Sequence, residues 1–207
     1  MSKPQVRALI LDYGGVLSLP QDPSSVEQMA DLLNQDGHDL IQVYRARRAP
    51  YDSGLLSGEA YWQGILEHFG IPADGFDISR LIGHDVQSWT QINEPMVQFA
   101  TQIRDRIHRL AILSNMTRDS LAFMRRNFDW LALFDAQIYS CELGCSKPNR
   151  VIYEHCLDRL DVPAGDCLFV DDSTENVRGA IEAGIPAIQF RDTAQFLAEL
   201  DRFSIAR

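Results

Sequence analysis

The chain has little of several things, and each shortage excludes a class of protein. No apolar run approaches the roughly 20 residues that a bilayer-spanning helix needs, so the sequence predicts no transmembrane segment. The stretch from Met1 to Arg7 lacks the apolar centre of a secretory signal. Cysteine is sparse: Cys141, Cys145, Cys156 and Cys167 are too few in 207 residues to staple a secreted domain. No CxxC pair or histidine partner accompanies them, so reduced structural thiols in a cytoplasmic protein are the expectation. Basic residues are also short, 19 Lys and Arg against 29 Asp and Glu, for a net charge of −10. Such a surface disfavours non-specific binding to nucleic acid or to anionic membranes. There is no internal repeat and no low-complexity segment.

What the chain does have begins at Ala8-Leu9-Ile10-Leu11-Asp12, an apolar run ending on a carboxylate and followed by Gly14-Gly15. A short apolar run bounded by turn residues suits a buried parallel strand. An Asp at the carboxyl end of that strand stands where open α/β sheets bind ligands. The glycines let the backbone turn sharply and approach a bound group closely.

Ser18 to Pro23 reads as a polar loop with two prolines, and from Ser24 to about Asn93 the pattern is helical, with little strand signal. Val26, Met29, Ala30 and Leu33 recur at helical spacing behind a Ser24 or Ser25 cap. Further helices are predicted over Leu40 to Arg48, from near Ser57 to Gly70, and between Phe76 and Gln91. From Asn93 onward helix and strand alternate. Arg109–Ser114, Ala136–Ser140, Cys167–Val170 and Pro186–Phe190 read as strands separated by helices. Short alternating units imply a doubly wound, Rossmann-like α/β core with helices on both faces of a parallel sheet. The expected division is a core of residues 1–17 and 94–207 with a small helical bundle, residues 18–93, inserted after the first strand.

Three strands end on polar groups: Asp12, Ser114-Asn115 and Asp171-Asp172. Lys147 follows Gly144-Cys145-Ser146 in a loop. The carboxyl ends of parallel strands converge on one crevice. Carboxylates gathered there repel one another unless a cation joins them. Mg2+ suits such a site because it prefers oxygen ligands and needs few carboxylates.

These four segments, in this order, resemble the four motifs of the haloacid dehalogenase-like hydrolases. The resemblance implies that Asp12 is the nucleophile and Lys147 the catalytic cation, with Ser114 and Asn115 binding the phosphoryl group; Tyr13, beside Asp12, is a candidate substrate contact. The resemblance also implies Mg2+ held by Asp12, the Gly14 carbonyl, Asp171 and Asp172, with Asn176 orienting the acids. The helical insertion, with its phrase Asp52 to Trp62, resembles the small cap of the epoxide-hydrolase phosphatase domain and of bacterial sugar-phosphate phosphatases. The function implied is hydrolysis of a small phosphorylated metabolite through an aspartyl-phosphate.

One position departs from that family's pattern. Gly14 stands where most of its phosphatases carry a second Asp, the general acid, whose contribution is typically about 10²–10⁴-fold. His84 and His68 are the insertion's candidates for that role. The gap keeps two other functions in play, a 2-haloacid dehalogenase and a non-catalytic binding descendant. Arg45, Arg47 and Arg48 read as a solvated basic face or, alternatively, as substrate contacts. Trp62, Trp89 and Trp130 read as core.

Overall fold

In a computed structural model describing residues 4–205, the apolar runs pair into one parallel sheet. Two short strands, β1 (Gln5–Val6) and β7 (Ser204–Ile205), pair with each other beside it. The sheet itself contains β2 (Ala8–Leu11), β3 (Arg109–Ser114), β4 (Ala136–Tyr139), β5 (Cys167–Asp171) and β6 (Ala187–Gln189), in the order β4-β3-β2-β5-β6. All its neighbours are parallel. Side chains alternate across a strand, and here Leu9 and Leu11 face one core while Ala8 and Ile10 face another.

Helices cover both faces. On the Leu9 side pack α6 (Glu94–Ile103), α7 (Arg118–Asn127) and α11 (Thr193–Leu200), through Met96, Leu121 and Phe196. On the Ile10 side pack α9 (Arg150–Leu160) and α10 (Thr174–Glu182), through Ile152 and Ala180. A short α8 (Ser140–Leu143) follows β4 directly. Burying both faces explains why these strands read as continuous apolar runs.

Between β2 and α6 lie five helices among the described residues: α1 (Pro23–Leu33), α2 (Gly37–Ala46), α3 (Arg48–Asp52), α4 (Gly58–His68) and α5 (Ile78–Gln87). They surround a third core that includes Met29, Leu33, Trp62 and Leu81. The single helix expected over Leu40 to Arg48 is divided into α2 and α3. Pro50 explains the division, since its ring would clash with the Ala46 carbonyl of a continuous helix. Entry and exit of this helical segment run side by side: Leu19 N–H donates to Gln91 O (2.7 Å) and Asn93 N–H to Leu17 O (2.9 Å). No helix among the described residues is long and apolar enough to cross a membrane.

Candidate active site

Asp12 follows β2, and its Oδ1 accepts from the Tyr13 N–H (2.7 Å). The backbone then makes a wide turn over Tyr13–Leu17, closed by the Ser18 N–H on Tyr13 O (2.8 Å). Gly15 sits at φ +70°, and a Cβ there would lie 2.7 Å from Asp172 Oδ2. Both facts require glycine.

Lys147 reaches from its loop to the ends of three strands. Its ammonium donates to Leu113 O (2.9 Å), to Asp171 Oδ2 (2.6 Å) and to Asp12 Oδ1 (2.9 Å). Three donors thus meet three acceptors. Asp171, fully buried, also accepts from the Ser173 N–H (2.9 Å) and from Asn176 Nδ2 (3.0 Å), so Asn176 does orient it. One carboxylate oxygen each from Asp12, Asp171 and Asp172 lies within 4.8 Å of the others. Three carboxylates around one ammonium leave excess negative charge, and the donors are all oxygen. That set fits a hard divalent cation.

The electrostatics follow from burial. Burial pushes the Asp12 carboxyl up to about 7; Lys147 pulls against it and Asp171 adds to it. Burial alone would lower the Lys147 ammonium, but Asp12 and Asp171 outweigh it and hold its pKa above the ordinary value. Asp172 is raised as well, by burial and then by Asp171.

Above these groups opens a cavity of about 720 Å³, between the strand ends and the inserted helices. Asp12, Gly14, Ser114, Asn115 and Asp172 line its floor; Lys147 and Asp171 lie beneath it. Two expected contacts are committed elsewhere. The Tyr13 hydroxyl donates to Trp89 O (2.6 Å), so only the body of that residue meets the cavity. The Asn115 side chain holds the Lys147 backbone by two hydrogen bonds, leaving its own backbone for a ligand. His68 and His84 are not on the cavity wall, whereas His38 is. Arg48 is no solvated face: its guanidinium pairs with Asp52 (2.7 Å) and with Asp85 (2.7 Å) beside the Tyr44, Tyr51 and Tyr61 rings. Arg45 is exposed on the wall. Trp62 is core, Trp89 lines the cavity, and half-buried Trp130 stacks on Phe128. Gln21 on the wall had no distinguishing sequence signal as a site residue, since polar loop positions are ordinary; Asp52, also on the wall, opens the phrase that resembles a cap, which assigned it no role.

The family model for haloacid dehalogenase-like hydrolases matches residues 6–184. The chain belongs to this family. Among curated relatives, bifunctional epoxide hydrolase 2 of Rattus norvegicus is 32% identical over 218 residues, 95% of this chain. The chain spans only 38% of that relative's length. Sesquiterpene phosphatase astK of Aspergillus oryzae is 22% identical across 94% of each chain. Among solved folds, the family enzyme bt-2542 of Bacteroides thetaiotaomicron, complexed with magnesium and inorganic phosphate, superposes with a TM-score of 0.75. It is 19% identical and covers 92% of this chain and 98% of its own.

Proposed function

We propose that this hydrolase is a Mg2+-dependent phosphoric monoester hydrolase acting on a small phosphorylated metabolite through an aspartyl-phosphate on Asp12. The observation that carries the reading is the Asp12–Lys147–Asp171–Asp172 cluster, a buried ammonium against an oxygen-only donor set at the cavity floor. In this reading Asp12, the Gly14 carbonyl, Asp171 and Asp172 hold the metal. When bound, Mg2+ neutralises charge on the phosphoryl oxygens and on the nucleophile.

The chain's own groups supply the rest. Tyr13 N–H and Lys147 fix one oxygen of Asp12, which orients the other for in-line attack on phosphorus. Lys147, kept protonated by its two carboxylates, offsets charge where the transfer needs it. Ser114 and the Asn115 backbone hold phosphoryl oxygens. Residues 18–93 form a cap hinged at the two antiparallel chain segments that meet near Leu19 and Gln91, and it closes over the substrate and excludes water. Val26, Ile41, Trp89 and Met116 give the wall an apolar side. With the sesquiterpene phosphatase relative, that side supports an alcohol bearing an apolar portion. The acidic surface supports a small-molecule substrate rather than nucleic acid.

Hydrolysis of 4-nitrophenyl phosphate, with and without Mg2+, tests the proposal in wild type and Asp12→Asn. Metal-dependent turnover lost in the variant is the expected result. Halide release from a 2-haloacid without Mg2+, and no phosphate release, would establish the dehalogenase reading instead.

A further inference from the structure

Gly14 leaves the departing oxygen without the usual proton donor, and the cavity wall offers another. We propose that Asp52, at the end of α3, is the general acid and then the general base of the phosphoryl transfer. This inference rests on the phosphatase reading above.

Asp52 and Asp12 line the same cavity. A hydroxyl on the core pins Asp52 near the phosphoryl end. Ser140 Oγ donates to Asp52 O (2.5 Å) and accepts from the Met116 N–H (2.9 Å), close after Ser114 and Asn115. That strand end adjoins the one bearing Asp12, because β3 pairs with β2. The tether joins the helical segment to the core just beyond the β3 end that bears Ser114 and Asn115.

Charge counting then shows which carboxyl is the readier to take up a proton. Arg48 Nη1 bonds both Asp85 oxygens (2.9 and 2.7 Å), and its Nε bonds Asp52 Oδ1 (2.7 Å). The Tyr44 hydroxyl also donates to Asp85 (2.6 Å). One cation therefore serves two carboxylates in a buried cluster, and a proton relieves the excess negative charge. Asp85 is 1% exposed and fully engaged; Asp52 is 20% exposed and has only Oδ1 tied to Arg48. Oδ2 of Asp52 is the oxygen left to carry the proton. Burial raises this carboxyl, with Arg48 opposing and Asp85 adding to the rise.

The alternatives on the wall fit less well. His38 is an exposed residue in the first turn of α2. Glu27 is an exposed residue of α1, and Asp172 belongs to the carboxylate cluster.

The step balances. As Asp12 attacks phosphorus, the ester P–O bond breaks with its electron pair on the departing oxygen. That oxygen takes the Asp52 proton and leaves as the alcohol. Asp52, now a carboxylate, takes a proton from water while the water oxygen bonds to phosphorus. The P–O bond to Asp12 breaks, returning its carboxylate, and inorganic phosphate departs.

The test compares phenyl phosphate, a poor leaving group, with 4-nitrophenyl phosphate, which departs without protonation. With Mg2+ present, Asp52→Asn should lower kcat for phenyl phosphate by about 10²–10⁴-fold, and for the nitrophenyl ester far less. The alkaline limb of the phenyl phosphate kcat profile should vanish. Asp52→Glu should recover part of the loss. Ser140→Ala, which keeps the carboxyl but removes the hydroxyl that holds the Asp52 backbone, should lower the phenyl-to-nitrophenyl ratio and guards against an unfolded Asn variant. An equal loss on both esters, or a shift in KM alone, would show a structural role and overturn the proposal. Failure of the wild type on the nitrophenyl ester would instead overturn the phosphatase reading.

Discussion

Asn115 grips Lys147 by its backbone from both sides. Its Oδ1 accepts from the Lys147 N–H (2.8 Å) and its Nδ2 donates to the Lys147 carbonyl (2.9 Å). A residue expected to touch the phosphoryl group thus sets where the ammonium stands. Asn115→Ala should cost roughly 1–3 kcal/mol, since two backbone groups lose partners. Urea denaturation gives the stability, and turnover should fall with kcat rather than KM. Equal stability and activity in wild type and variant would remove this positioning role.

Asp12 makes the metal-free protein sensitive to pH. Its carboxyl is pushed up to about 7 in the fold, from an ordinary value of 3.8. The folded state therefore holds the proton more tightly than the unfolded state. The stability this contributes is complete below the unfolded value and is lost as pH rises through about 7. Urea midpoints in a chelating buffer should fall between pH 4.5 and 8, a window set by that shift. Asp12→Asn should flatten the slope.

Gly15→Ala meets two obstacles together. Its φ of +70° disfavours any side chain, by roughly 1–2 kcal/mol. The new Cβ would also press on Asp172 Oδ2 at 2.7 Å. Mg2+ affinity, followed by calorimetry, should weaken along with stability. A variant that loses stability and keeps its affinity would free Asp172 from the metal site.

Arg48→Leu leaves the Asp85 carboxylate buried with no cation. Breaking a buried pair from one side costs about 3–5 kcal/mol, and Asp85 is 1% exposed. A second change, Asp85→Asn, should restore part of the loss. Thermal melts of the single and double variants form the cycle that measures the coupling.

Local pattern was enough for the sheet and for the floor of the site. Apolar runs such as Leu110–Leu113 and Cys167–Val170 are strands because both faces of this sheet are covered. Chain order then brings Asp12, Ser114, Asn115, Lys147, Asp171 and Asp172 to one edge. Such signals are read over a few residues, so no partner need be known. The strands β1 and β7 were out of reach, being two residues each and distant in the chain. So was the division of α2 from α3, although Pro50 carried the reason in plain view.

Partners are another matter. Arg48 pairs with Asp85 across 37 positions, Asn115 with Lys147 across 32, and Tyr13 with Trp89 across 76. Helical spacing says which face Arg48 occupies, not whether that face meets water or a buried acid. The same holds for Asp52, a helix-end carboxyl until Ser140 brings it to the cavity that Asp12 shares. A residue's type and period are properties of its own segment. Its charge state and hydrogen-bond partners depend on which distant segments fold against it, and packing alone supplies those.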